Sequence, residues 1–72
     1  MSNIIYCVYK PYEDEDAEQI FSLDLDTHRL TVYDQDGNFD QVGIAGENEP
    51  IFLYPNLYPR ISEDEFKILT IK

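Results

Sequence analysis

Carboxylates are the groups in this chain with the capacity for chemistry, and their spacing decides which chemistry is open to them. Fifteen Asp and Glu stand against five Lys and Arg in 72 residues, a formal net charge of −10. The segment Asp34-Gln35-Asp36-Gly37-Asn38-Phe39-Asp40 has the look of a calcium loop. Such a loop needs oxygen ligands at alternate positions, glycine at the sixth and a bidentate Glu at the twelfth. Counted from Asp34, the glycine falls fourth and Ala45 twelfth, so a polar hairpin tip explains the segment better. With one Cys and one His, no tetrahedral zinc site can be built from the usual ligands without several carboxylates. No P-loop, dinucleotide fingerprint or nucleophile elbow is present, and a chain this short has little scaffold for a catalytic cleft. The expectation is a protein that is not an enzyme, with no metal and no cofactor. A weak divalent-cation site on the acidic run of residues 13–16 is a third and lesser reading.

Direct nucleic-acid binding is disfavoured, because phosphate contacts need Lys and Arg. The cations are scattered at Lys10, Arg29, Arg60, Lys67 and Lys72. The inverse case is stronger. A protein that occupies a nucleic-acid-binding groove must present carboxylates at roughly phosphate-like intervals. Residues two apart on a strand lie about 6.8 Å apart on one face, the spacing of Asp24 with Asp26 and of Asp34 with Asp36. With Phe21, Leu23 and Leu25 on the core face, Asp24 projects from the other, so one face is expected to be core and the other acidic. Glu13, Asp14, Glu15, Asp16 and Glu18 extend the row, and Tyr12 beside them is a candidate anchor.

Six Tyr and no Trp is a heavy share for this length, and Tyr suits interfaces. Tyr12, Tyr54 and Tyr58 are read as the more exposed; Tyr33 and Tyr6 or Tyr9 as packed on the sheet. In size and charge the chain is similar to small phage-encoded inhibitors that mimic DNA, among them anti-restriction and anti-CRISPR proteins, a likeness carried by composition and by no alignable motif. It implies an inhibitor or regulator of a basic, nucleic-acid-binding partner. The alternative is a structural or adaptor module that binds through the Tyr54–Tyr58 loop or a sheet edge, with the charge serving solubility.

The elements that must position these groups read as mainly β. At 72 residues the chain is expected to be a single domain spanning 1–72, and folded despite its charge, since hydrophobic residues reach 43% and alternate with polar ones. No basic leader with a long apolar stretch opens it and no segment approaches a membrane span, so the expected location is the cytoplasm. The lone Cys7 lies in an apolar run and reads as a small buried hydrophobe. Residues 3–10 form a strand stopped by Pro11. The acidic run is an exposed connection. Residues 19–44 form a three-stranded antiparallel meander with two turns. The first is Asp26-Thr27-His28-Arg29, with Leu25 opposite Leu30, Leu23 opposite Val32, and His28 left-handed. The second is Gln35-Asp36-Gly37, a three-residue loop with Gly37 left-handed, Tyr33 facing Phe39 and Leu30 facing Val42.

Residues 51–54 suggest a short strand. Ser62-Glu63-Asp64-Glu65 matches a capping box, read as at most one helical turn near 62–66 before a final strand over 67–71. Together these give a small antiparallel sheet, or partly closed barrel, of four to five strands.

Overall fold

Two left-handed residues set the sheet. His28 has φ 62° and Gly37 φ 86°, each the last residue of the loop that closes a hairpin. The computed structural model describes residues 3–70. In it β1 (Ile4–Tyr9), β2 (Gln19–Asp24), β3 (Arg29–Asp34) and β4 (Phe39–Ile44) follow one another, then the helical turn α1 (Pro50–Leu53), the short strand β5 (Arg60–Ile61) and the helix α2 (Glu63–Thr70). The five strands make one antiparallel sheet in the order β4-β3-β2-β1-β5. The architecture is mainly β, and the sheet stays open rather than closing into a barrel.

The meander is present, with two corrections to its register. Leu23 pairs with Leu30 and Phe21 with Val32, two residues from the expected alignment. The Leu25 N–H donates to the Asn3 carbonyl at 2.7 Å, one rung beyond the β1–β2 pairs, but the His28 N–H closes the β2–β3 loop on the Asp24 carbonyl at 2.7 Å, so Leu25 opens the loop instead of pairing with Leu30. A slip of two keeps every side chain on its face, so the apolar pattern survives. In the second hairpin the three-residue loop and the Tyr33–Phe39 pair are as expected. Asp40 is then an extra residue: Val32 faces Gln41 and Leu30 faces Gly43, not Val42. The bulge at Asp40 returns Val42 and Ile44 to the side of the sheet that carries Phe39.

Both faces of the sheet carry core. On one, Cys7, Phe21 and Val32 cluster with Tyr9, Leu30, Ile51 and Tyr58, under residues 49–58. On the other, Val8 and Ile20 are buried, and Phe66 of α2 lies between Tyr6 at 4.5 Å and Tyr33 at 5.4 Å. The expectation of one core face and one acidic face is therefore overturned. Period-two alternation distinguishes two faces, but it does not tell which one a later helix will cover.

That helix is the main departure in the C-terminal third. Residues 67–70 continue α2 instead of forming a strand; Ile71 lies outside the described residues. The Ser62 hydroxyl accepts the Glu65 N–H at 3.1 Å, which starts the helix. Glu63, Asp64 and Glu65 occupy its first turn, where the helix dipole favours them. Phe66 then docks on the sheet, and that burial outweighs the β-branched character of Ile68 and Thr70. The expected strand in residues 51–54 is instead α1, because Pro50 at its first turn has its φ set for a helix and needs no N–H partner there. The fifth strand is Arg60–Ile61, beside β1.

Candidate functional site

The order of the strands distributes the carboxylates. The β1–β2 connection and the β3–β4 hairpin emerge at the same end of the sheet, since Gln19 pairs with Asp34. Glu13, Asp14, Glu15, Asp16 and Glu18 of the first therefore share that end with Asp34 and Asp36 of the second. The connection is a series of turns rather than a helix, closed by Glu18 N–H on the Tyr9 carbonyl at 2.9 Å and Glu15 N–H on the Tyr12 carbonyl at 3.2 Å. Residues 12–16 are exposed. Asp24 and Asp26 lie at the opposite end, in the β2–β3 hairpin. A six-residue strand, about 17 Å at the usual rise, separates the two groups, and they do not form one row.

The pairs also differ internally. Asp24 accepts the Asp26 N–H at 2.9 Å and the Thr27 N–H at 3.3 Å. Asp34 accepts the N–H groups of Asp36 and Asn38, both at 2.9 Å. Each is turned onto its own backbone and holds a turn in shape. Their neighbours Asp26 and Asp36 stand in solvent, with Asp26 near the Asn3 amide at 3.4 Å. No charged residue among those described is buried. Lys67 pairs with Glu63 at 3.7 Å on the exposed side of α2, an interaction of small worth. What the acidic end can do chemically is attract cations and basic surfaces. Among the described residues no group of three or more His, Cys, Asp or Glu is arranged to hold a metal ion.

The three tyrosines separate as well. Tyr12 is 59% exposed and Tyr54 is 54% exposed. Tyr58, expected to be among the more exposed, is half-buried instead: its ring stacks on Tyr9 at 5.0 Å and tilts against Phe21 at 5.7 Å. It sits there because residues 57–61 run antiparallel beside β1, which turns position 58 onto the face of Tyr9 and Phe21. Burial raises its phenol pKa, helped by the nearby Tyr9, Cys7 and Glu49. Cys7 is 1% exposed, and burial pushes its thiol up to about 11 against a weaker opposing pull from Arg60. A thiol so protonated is a poor nucleophile, which agrees with its reading as a core residue.

Sequence reasoning missed a second feature. On β4 the side chains of Phe39, Val42 and Ile44 are 62%, 52% and 73% exposed, although three large apolar groups on one strand ordinarily mark a covered face. The sequence does not show it, because Phe39 and Val42 are three apart and only the bulge at Asp40 brings them to one face.

Compared with known proteins, the chain matches no family model, no curated protein and no solved structure. No helix among the described residues is long and apolar enough to cross a membrane.

Proposed function

We propose that this chain is a small acidic protein-binding module that occupies the basic, nucleic-acid-binding surface of a cytoplasmic partner, as an inhibitor or regulator in the manner of DNA-mimic proteins. The observation that carries the reading is the concentration of carboxylates at one end of the sheet: residues 13–16 and 18, with Asp34 and Asp36, in two connections set side by side by strand order. A field of one sign on a folded scaffold steers an oppositely charged partner, giving fast association that falls with salt. Glu13, Asp14, Glu15, Asp16 and Asp36 make the contacts in this reading. Asp34 holds the hairpin that presents Asp36, and Tyr12 flanks the run.

The test is an affinity pull-down from nuclease-treated host lysate with elution by a salt gradient. Nucleic-acid-binding proteins released at moderate salt support the reading. A partner retained at high salt refutes it. That second result favours an adaptor binding through the aromatic loop, where Leu53 and Tyr54 are 52% and 54% exposed.

A further inference from the structure

The two edges of the sheet are treated differently. One is β5, a strand of only two residues extended along β1 by the Val8 N–H on the Pro59 carbonyl at 3.1 Å and the Lys10 N–H on the Leu57 carbonyl at 2.9 Å. That edge is short and interrupted by Pro55 and Pro59. The other edge is β4, which pairs with β3 alone among the described strands, and all six of its residues are exposed.

Its free groups can be placed. The Ala45 N–H donates inward to the His28 carbonyl at 2.8 Å, and bonded and non-bonded pairs alternate along an antiparallel ladder. Thr31–Val42 and Arg29–Ile44 are therefore non-bonded pairs, and the main-chain N–H and C=O of Val42 and Ile44 point away from the sheet. The side chains of Phe39, Val42 and Ile44 stand on one face beside this edge. On the other face lies an open groove of about 240 Å³, with Leu30, Val32 and Gly43 in its lining. Edge strands are usually blunted by charge, proline or a bulge. Here the bulge at Asp40 acts at one end only, and residues 41–44 carry neither charge nor proline.

We propose that β4 is a docking edge for an extended basic segment of a partner protein, which adds to the sheet as a sixth strand. Main-chain bonds to Val42 and Ile44 supply affinity, and Phe39, Val42 and Ile44 receive alternate apolar side chains. Charge selects the occupant. Asp34, Asp36 and Asp40 stand at one end of β4 and Glu47 follows the other. A second copy paired antiparallel on this edge would set the acidic hairpin tip of each chain toward Glu47 of the other, with −10 on both. Lysines and arginines alternating with apolar residues reverse the sign of those contacts. This inference rests on the proposed basic partner and names the surface that holds it.

The probe is an eight-residue peptide of alternating valine with lysine or arginine, titrated into the full chain. Binding is followed by calorimetry and by hydrogen exchange of individual amides. New protection at Val42 and Ile44 is expected. Val42→Pro removes an outward N–H while sparing the β3 ladder, and Val42→Lys adds a like charge without touching the backbone. Each is expected to weaken the peptide at least tenfold, with circular dichroism unchanged for the lysine variant. Protection confined to other segments, binding by either variant at the parent's affinity, or a stable dimer paired through β4 overturns the proposal. The pull-down separates it from the broader reading. A salt-sensitive partner indifferent to both variants leaves the acidic module standing without this edge, and a salt-resistant partner lost in both leaves the edge without the acidic steering.

Discussion

Gly37 sits against the last turn of α2 so closely that a Cβ on it would run into the Leu69 carbonyl oxygen and approach the Thr70 Cα to 3.0 Å. This contact joins the tip of the β3–β4 hairpin to the far end of the helix. With Phe66 lodged between Tyr6 and Tyr33, it fixes the path of α2 across the sheet from β5 to the hairpin.

Two independent costs follow for Gly37→Ala. Its φ of 86° strains any residue with a Cβ, and the methyl group has backbone, not a flexible side chain, in its way. The variant is expected to lose about 2–4 kcal/mol in urea unfolding. Lys67→Ala, which removes an exposed pair, should change stability by less than about 0.5 kcal/mol. A Gly37→Ala protein as stable as the parent would mean that α2 does not pack on the hairpin.

Alkaline pH probes the core. The Cys7 thiol is held up to about 11 from an ordinary 9.0, so the unfolded chain releases this proton first as pH rises. Between these values the unfolded state binds fewer protons than the folded one, and stability falls with pH. The raised Tyr58 phenol adds to the same direction. Cys7→Ala should unfold at lower urea near neutral pH because a buried side chain is lost. Its stability should also decline less steeply between pH 9 and 11. Equal slopes in the two proteins would remove Cys7 from the explanation.

The turns were legible in the sequence because their demands are local. Gly37 and His28 were placed in the left-handed region from residue type and hairpin length, and both are there. The first register was missed by two residues because the four-residue loop runs over 25–28, with the His28 N–H on the Asp24 carbonyl and the Asp24 carboxylate on the Asp26 and Thr27 N–H groups. The fate of residues 67–70 depended on a distant event, the docking of Phe66 on Tyr6 and Tyr33. The carboxylate pairs carried the right spacing for a row, but they belong to successive turns of the meander, which lie at opposite ends of the sheet; the expected meander already implied that separation, and spacing along the chain alone hid it.

The tyrosines should divide in mutagenesis as they do in burial. Tyr58→Ala strips a ring stacked on Tyr9 and tilted against Phe21 and is expected to cost about 2–4 kcal/mol. Tyr12→Ala and Tyr54→Ala should stay within about 0.5 kcal/mol of the parent by thermal or urea unfolding. Loss of binding in Tyr58→Ala would then report unfolding, and the exposed pair is the proper probe of an aromatic interface. Parent-like stability for Tyr58→Ala would contradict its place in the core.

The acidic residues divide by the same logic into those that shape turns and those that face solvent. Asp34 receives two main-chain N–H groups at 2.9 Å, so Asp34→Ala leaves both donors to water and should cost about 1 kcal/mol. Asp36→Asn and paired Glu13→Gln, Glu15→Gln changes remove charge without removing such bonds. They reduce the repulsion within a chain of −10, and at low salt they should leave stability equal or slightly higher. Raising salt from about 10 to 150 mM shortens the screening length from about 30 to about 8 Å and should narrow that difference while raising the melting temperature of the parent. Against a partner recovered by pull-down, the Gln pair should lower the association rate several-fold with little change in dissociation, since distant carboxylates steer encounter more than they hold the complex. A Gln pair that associates at the parental rate would leave the acidic end with no part in recognition.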